Sequence, residues 1–150
     1  NLMDNCVFCK IVKRELPSNV IHEDDNTLSF LDISPANKGH ALVISKSHFT
    51  NIFDIPQLEF TNLSKTVSIV AKAIKEATKA DGLNIFLNNE KAAGQIVFHI
   101  HYHIIPRYNT DGIQFKWPHK KYEHNESIDY CERIKKCLEN FEKLHFSKVL

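Results

Sequence analysis

Three histidines alternate with apolar and aromatic residues in the segment FHIHYHII, which begins at Phe98. In an extended strand, alternate side chains share a face, so His99, His101 and His103 would point one way and the intervening residues the other. A neutral imidazole can attack phosphorus, and a covalent intermediate divides one difficult step into two. Successive histidines on a strand lie about 6.6 Å apart, which is too far for three of them to bind one metal ion without strain. The spacing therefore favours phosphate chemistry centred on His101.

Plainer interpretations of these residues stay open. The three histidines could lie on a solvated strand face, or two of them could share a metal ion with ligands from other segments. The pair Cys6 and Cys9 has the C-x-x-C spacing of a zinc half-site, but a redox pair or two unrelated thiols would look the same. Cys131 and Cys137 are six residues apart on a predicted helix, and we interpret them as core or free thiols.

The elements that would position the histidines form a mixed pattern of strands and helices. We expect three helices. The first covers Cys6–Arg14 and the last covers Glu126–Leu144. The second begins at Pro56, carries an apolar face that includes Ala77, and stops near Gly82. We expect strands over the ranges Val20–Glu23, Thr27–Leu31, His40–Ser45, Leu83–Leu87 and Val97–Ile105. This order indicates an α+β fold with a mostly antiparallel sheet and helices packed on one face. The polar segment 109–125 has no assignment.

Composition excludes several classes of protein. The 150 residues are 43% hydrophobic and 25% charged, which is ordinary for one globular domain. Lys and Arg number 19 against 18 Asp and Glu, so no basic field argues for a nucleic-acid partner. We see no signal peptide and no apolar run of the roughly 20 residues that a membrane helix needs. Four cysteines do not make a disulfide framework, so we expect a cytoplasmic protein with no membrane partner.

The chain resembles the histidine triad (HIT) family, and the resemblance covers roughly residues 6–108. Beyond the triad it rests on the segments FCKI from Phe8, LP from Leu16, EDD from Glu23, LDISP from Leu31, GHALVI from Gly39 and AGQ from Ala93. It implies a HIT-like fold with a five-stranded sheet, two protomers joined into a ten-stranded sheet, and one domain over 1–150 with a helical extension from about 109 to 150. The branch it resembles is the Hint-like bacterial one, which is similar to nucleoside phosphoramidases.

The resemblance also implies an activity and residues for it. It implies a hydrolase or transferase that attacks the α-phosphorus of a purine nucleoside phosphoramidate, or a related nucleotide, through a nucleotidyl-histidine intermediate. His101 would be the nucleophile, His103 and His40 would contact the phosphate, and His99 would position its neighbour. Asp32 would hold the ribose hydroxyls, although it could also be a turn residue. The remaining nucleotide contacts would come from the base walls Phe8, Ile11, Leu16 and Ile33 and from Asn88, Gln95 and Val97 near the phosphate.

A structural zinc ion is the cofactor that the resemblance implies. Its ligands would be Cys6, Cys9, His48 and His99. Two thiolates and two imidazoles close a tetrahedral zinc site, so no catalytic metal is expected. The alternative is a metal-free pair of thiols.

Two positions depart from the animal phosphoramidases. Ile96 stands where those proteins carry a serine, and it cannot hydrogen-bond a leaving group. Arg107 follows Pro106 as in dinucleoside polyphosphate hydrolases, where it could contact a distal phosphate or only end the strand. The alternative functions are therefore a dinucleoside polyphosphate hydrolase of the same family, a non-catalytic nucleotide-binding or regulatory module, and, ranked low, a metal-dependent hydrolase.

Overall fold

The structure of the chain is a computed structural model that describes residues 3–146. It divides into two compact units, one ending at Gly112 and one beginning at Ile113, which are described separately. The first unit contains helices α1 (Val7–Val12) and α2 (Gln57–Thr78) and the strands β1 (Val20–Glu23), β2 (Thr27–Leu31), β3 (Ala41–Ser45), β4 (Gly82–Leu87) and β5 (His101–Arg107). The five strands form one antiparallel sheet in the order β1-β2-β3-β5-β4, which confirms the α+β class.

The two faces of this sheet carry different helices. Side chains alternate along β3, so Ala41 and Val43 face α2 while Leu42 and Ile44 face the other way. The α2 face joins Ile104 and a helical stripe of apolar residues into the larger core. On the opposite face the short helix α1 buries Phe8. The expectation of helices on a single face is therefore correct for α2 and wrong for α1.

The fifth strand is shorter than predicted, because β5 begins at His101 and not at Val97. The reason is the length of its neighbours. His101 pairs with Ile44 of β3, one residue before that strand ends, and Tyr102 pairs with Leu87 at the end of β4. Strand pairing therefore stops at His101, and before it the Ile100 N–H donates to the Phe49 carbonyl at 2.7 Å. The strand also continues through Pro106 to Arg107, two residues beyond its predicted end.

Helix α2 ends earlier than the position of Gly82 suggested. The left-handed residue that terminates it is Lys79, with φ 56° and ψ 31°, and Gly82 is the first residue of β4. The last turn of a helix leaves backbone carbonyls without a partner inside the helix. Here the Thr78 carbonyl accepts a hydrogen bond at 3.1 Å from the hydroxyl of Tyr108, the residue that follows β5.

The second unit consists of an irregular segment followed by helix α3 (Glu126–Phe146). Its apolar side chains are exposed, including Ile134, Leu138 and Phe141, as are the thiols of Cys131 and Cys137. Across residues 3–146, none of the helices is both long enough and apolar enough to cross a membrane.

Candidate active site

A cavity of about 860 Å³ opens on the α1 face of the sheet. Its walls come from α1, from the strands β2, β3, β4 and β5, and from the loops that follow β2 and β4. This volume lies in the range that small-molecule sites occupy. His40, His101 and His103 all line it, whereas His99 does not.

The alternation of the triad holds in space even though only two of its members lie in β5. Ile100 and Ile104 enter the core beneath α2, while His101 and His103 contact one another on the opposite face with ring centroids 5.0 Å apart. His99 lies on that same face, with its ring 5.9 Å from the ring of Phe8. The segment therefore places two histidines in the cavity and one beside it.

His101 is buried and its tautomer is fixed by the main chain. Its Nδ1 lies 2.7 Å from the His99 carbonyl oxygen, which can only accept, so Nδ1 carries the proton. Burial lowers the pKa of His101, against the opposing influence of the His99 carbonyl and the Asp32 carboxylate, so the ring is neutral near pH 7. A neutral ring protonated at Nδ1 has its lone pair at Nε2. This is the arrangement that a nucleophilic imidazole requires.

The same reasoning assigns the protons of the two neighbouring rings. The Ala36 N–H donates to His40 Nδ1 at 3.1 Å, so the proton of the neutral His40 ring lies on Nε2. His40 Nε2 lies 2.9 Å from His103 Nδ1 and therefore donates to it. His103 is then left with its proton on Nε2. A chain of two hydrogen bonds thus gives His103 a donor that can hold a phosphate oxygen.

These rings are uncharged at neutral pH. Burial lowers the pKa of His40, and Asp32 opposes the shift. Burial, together with the neighbouring His101 and His40 rings, lowers the pKa of His103 to about 4, and Asp32 again opposes. Asp32 is the one acidic side chain among the lining residues, and none of the described lining residues is a lysine or an arginine.

Asp32 has one carboxylate oxygen committed and one available. Its Oδ1 accepts the Ser34 N–H at 2.8 Å, which forms the turn that the sequence suggested. Its Oδ2 lies 3.6 Å from His40 Nε2 and borders the cavity. The turn role and a ligand-binding role are therefore compatible in the same residue.

One end of the cavity is apolar. Phe8 and Ile11 are buried parts of the core that also line the cavity, and Phe8 meets the ring of His101 edge-on at 5.1 Å. Leu16 and Ile33 line it as well, and Ile33 is 93% exposed. An exposed isoleucine contributes nothing to the core, so its contact surface is available to a ligand.

The loop after β4 forms another part of the wall. Asn88, Ile96 and Val97 line the cavity there, and Ile96 is 88% exposed. Gln95 does not line it. This side chain is buried at 3% exposure, its Oε1 accepts from Glu90 N–H and its Nε2 donates to the Thr50 carbonyl at 2.7 Å. The Gln95 side chain therefore packs behind the wall of the cavity.

The four residues predicted to hold zinc meet in a cluster next to this cavity. Their ligand atoms, from Cys6, Cys9, His48 and His99, all lie within 4.8 Å of one another. The Cys6 Sγ–His99 Nδ1 distance is 3.4 Å, and Cys9 Sγ lies 3.3 Å from His48 Nδ1 and 3.6 Å from His99 Nδ1. Zn–S bonds near 2.3 Å and Zn–N bonds near 2.0–2.1 Å at tetrahedral angles imply sulfur–nitrogen separations of about 3.6 Å. The donor set and its spacing therefore fit a tetrahedral metal ion.

The surroundings of the cluster favour ligation further. His99 Nε2 donates to the Ser45 carbonyl at 2.7 Å, so Nδ1 is unprotonated. Its lone pair can therefore bind a metal ion beside the thiols. Burial, with the hydrogen bond and charge of Cys6, raises the pKa of the Cys9 thiol to about 11. A buried thiolate therefore needs a cation beside it, and a metal ion supplies one.

Two residues that sequence reasoning missed also shape the site. The Phe86 ring stacks on His103 at 4.7 Å with an angle of 18°, which fixes the plane of that imidazole. A phenylalanine on an edge strand gives no signal of this role. Asn51 is buried at 2% exposure and hydrogen-bonds the loop after β4. Predicting either contact from the sequence would require knowing which distant segments lie side by side.

Arg107 takes no part in the cavity. Its Nε donates to Asp111 at 2.8 Å, and its Nη1 donates to Asn84. Of the two interpretations of this residue, the structure supports a role at the end of the strand.

Comparison with known proteins identifies the class. Residues 13–110 match the model of the HIT domain. A protein of Methanocaldococcus jannaschii described as an uncharacterized HIT-like protein is 45% identical over 87% of this chain and 96% of its own length. The chain therefore belongs to the HIT family. The adenosine 5′-monophosphoramidase of Saccharomyces cerevisiae is 41% identical over 75% of this chain and 70% of its own length.

Solved structures agree with this assignment. A crystal structure of a Streptococcus mutans protein superposes with a TM-score of 0.86 at 42% identity, covering 90% of this chain and 86% of that one. A zinc-bound histidine triad family protein from Mycobacterium smegmatis superposes with a TM-score of 0.72 at 41% identity, covering 79% and 86%.

Proposed function

We propose that this HIT-family protein is a hydrolase that cleaves purine nucleoside 5′-phosphoramidates through a nucleotidyl-histidine intermediate on His101. The observation that carries the proposal is the fixed tautomer of His101, which leaves the lone pair on Nε2 in a side chain that lines an 860 Å³ cavity. A relative of this chain is named as an adenosine 5′-monophosphoramidase, which supports the same class of substrate.

The cavity suggests how the substrate binds. The purine base lies between the apolar walls at Phe8, Ile11, Leu16 and Ile33, where no charged side chain has to be desolvated. Asp32 Oδ2 accepts from the ribose hydroxyls. The α-phosphate then lies over His101, with one oxygen held by the Nε2–H of His103, whose orientation is set by His40 and Phe86.

The reaction proceeds in two steps at this phosphate. His101 Nε2 forms a bond to phosphorus while the bond from phosphorus to the leaving nitrogen breaks, and the nitrogen takes up a proton from solvent and departs as a neutral amine. The His101 ring is now cationic, and its Nδ1–H stays on the His99 carbonyl. Water then attacks phosphorus and gives up a proton to solvent, the P–Nε2 bond breaks, and the nucleoside monophosphate leaves with the ring restored to neutrality.

The charge of the cavity favours an amine over an anionic leaving group. A polyphosphate or sulfate that departs from the α-phosphorus carries negative charge that a cation would stabilise. Among the described lining residues the only charged side chain is Asp32, and Arg107 is held by Asp111. This favours a phosphoramidase over the dinucleoside polyphosphate hydrolase considered as an alternative.

We also propose that the Cys₂His₂ cluster holds a structural zinc ion. All four coordination positions would be filled by protein, so the ion would fix His99 without taking part in the reaction. Free thiols at Cys6 and Cys9 support a reducing, cytoplasmic location. A homodimer is proposed from the position of β4 at an edge of the sheet, where Ile85 is 44% exposed, since edge strands are ready to pair.

The test is a comparison of wild-type protein with His101→Ala. We expect wild-type protein to hydrolyse adenosine 5′-phosphoramidate and, after rapid quenching, to carry one nucleotidyl group by intact mass. His101→Ala should lose at least about 1,000-fold in kcat, because the nucleophile is gone. Binding of adenosine monophosphate, measured by calorimetry, should persist.

The matched control is His119→Ala, which removes an exposed histidine of the second unit and should leave turnover unchanged. Turnover by His101→Ala at the wild-type rate would refute the mechanism. Nucleotide binding without turnover by the wild-type protein would instead support a non-catalytic binding module.

A further inference from the structure

The loop between β4 and β5 is held in a strained conformation at the phosphate end of the cavity. Asn88, Gly94 and Ile96 of this loop line the cavity. Glu90 lies between them with φ 72° and ψ 160°, a backbone region that is essentially restricted to glycine. A non-glycine residue persists there only when its surroundings hold it. The hydrogen bonds of the loop show which residues hold Glu90 in this conformation.

Gln95 closes the loop on itself. Its Oε1 accepts the Glu90 N–H at 2.9 Å, and its own N–H donates to the Glu90 carbonyl at 3.1 Å. Its Nε2 donates to the Thr50 and Val97 carbonyls at 2.7 and 3.2 Å. Both ends of this buried amide are thus used to hold the two ends of the loop together.

Asn51 fastens the loop from outside the cavity. Its Nδ2 donates to Glu90 Oε1 at 2.9 Å and to Gln95 Oε1 at 3.2 Å, while its Oδ1 accepts the Phe53 N–H at 3.1 Å. The bond to Glu90 is to a carboxylate, the stronger kind of hydrogen bond. Asn51 is 2% exposed and does not line the cavity. It therefore contacts the strained residue and its partner without reaching a ligand.

The segment that carries Asn51 also supports the nucleophile. The Phe49 carbonyl accepts the Ile100 N–H at 2.7 Å, and Ile100 directly precedes His101. A short stretch of chain thus fixes both the strand that holds His101 and the loop that faces it across the cavity. Asn51 therefore links the segment that supports His101 to the loop after β4.

We propose that Asn51 is a positioning residue for the phosphoryl-transfer step, which acts by holding Glu90 in its strained conformation and so sets where Asn88, Gly94 and Ile96 meet the substrate. The proposal rests on the proposed function for the reaction that it assists. It assigns Glu90 the role of the residue through which Asn51 acts.

The first test is Asn51→Ala. Without the amide, the Glu90 backbone can relax to a common conformation and move the loop. A displacement of about 1 Å can cost roughly 100-fold in rate. We expect kcat for adenosine 5′-phosphoramidate to fall by about 10- to 100-fold while KM changes less than about threefold, because the proposed base and ribose contacts come from segments other than this loop.

The second test is rescue by Glu90→Gly in the Asn51→Ala background. Glycine adopts the required backbone conformation without help. We expect kcat of the double variant to return to within about threefold of wild type. A residue with a merely structural role would predict no such rescue. Asn51→Ala with wild-type kcat, or a double variant no more active than Asn51→Ala, would overturn the proposal.

A control and a substrate-free measurement separate this proposal from the proposed function. Thr66→Val removes another buried side-chain hydrogen bond, between Thr66 and Thr27 at 2.7 Å, and should leave kcat unchanged. Amide exchange at Glu90 and Gln95 should be at least about tenfold faster in Asn51→Ala than in wild type, since local opening exposes these N–H groups. If wild-type protein shows no turnover, the proposed function fails, and unchanged exchange in Asn51→Ala would separately refute the role of Asn51.

Discussion

The neutral state of His103 predicts a specific loss of stability in acid. Burial, with His101 and His40 beside it, lowers the pKa of His103 from about 6.5 to about 4, and Asp32 is the one facing group that opposes the shift. The unfolded chain therefore takes up a proton at this residue below about pH 6.5, and the folded chain does so only near pH 4. Stability from this residue is thus complete above pH 6.5 and is lost as the pH falls.

The size of the effect follows from the two pKa values. Their difference corresponds to about 3.4 kcal/mol at the limit, and to about 2 kcal/mol at pH 5. His103→Asn removes the titrating group while its amide oxygen can still accept from His40 Nε2. The free energy of unfolding of wild type minus that of the variant should therefore fall by about 2 kcal/mol between pH 7.5 and pH 5.

The assay is urea unfolding of both proteins at pH 7.5, 6.5, 5.5 and 5.0 at constant ionic strength. Protonation of the cysteine–histidine cluster affects both proteins and cancels in the difference. His119→Asn, which replaces an exposed histidine, should track wild type at every pH. A difference between wild type and His103→Asn that stays constant from pH 7.5 to pH 5 would refute the assignment of a buried neutral ring.

Two further outcomes are expected. Protein purified without added metal should contain about one zinc ion per chain by elemental analysis. Cys9→Ser should lose the metal and unfold at a lower temperature, because metal binding and folding are coupled. Full stability of wild-type protein from which the metal has been removed would contradict this. Asp32→Asn should raise KM for the nucleotide by about 10- to 100-fold with a smaller change in kcat, because it weakens the hydrogen bonds that the ribose hydroxyls donate to a charged acceptor. The check is steady-state kinetics with a ribose and a 2′-deoxyribose substrate. The mutation should raise KM less for the 2′-deoxy substrate, which lacks one of these hydroxyls.

The sequence was sufficient wherever a local pattern determines the outcome. Alternation alone places Ile100 and Ile104 in the core and His101 on the opposite face, because side-chain direction along an extended chain has a period of two. The spacing of Cys6 and Cys9 allowed a metal half-site as well as a redox pair or unrelated thiols, and the structure brings the two cysteines together with His48. That the partners would be histidines from distant segments came from resemblance and not from spacing.

Features that depend on distant partners could not be predicted. The start of β5 at His101 is set by where β3 and β4 end, which no property of residues 97–100 reveals. The end of α2 at Lys79 requires a lysine in a left-handed conformation, against the preference for glycine that pointed to Gly82. Gln95 was expected near the phosphate because of the family resemblance, and only the bonds to Thr50 and Glu90 show that its side chain packs away from the cavity.

The acceptor that orients His101 is a peptide oxygen, that of residue 99. Every amino acid carries such an oxygen, so no single substitution at residue 99 can remove it. A change of side chain there leaves the proton of the His101 ring on Nδ1. The orientation can be lost only when the chain itself shifts. Selection on this protein should therefore fall most heavily on residues that hold the backbone near His101 in place, including ones that never meet a substrate.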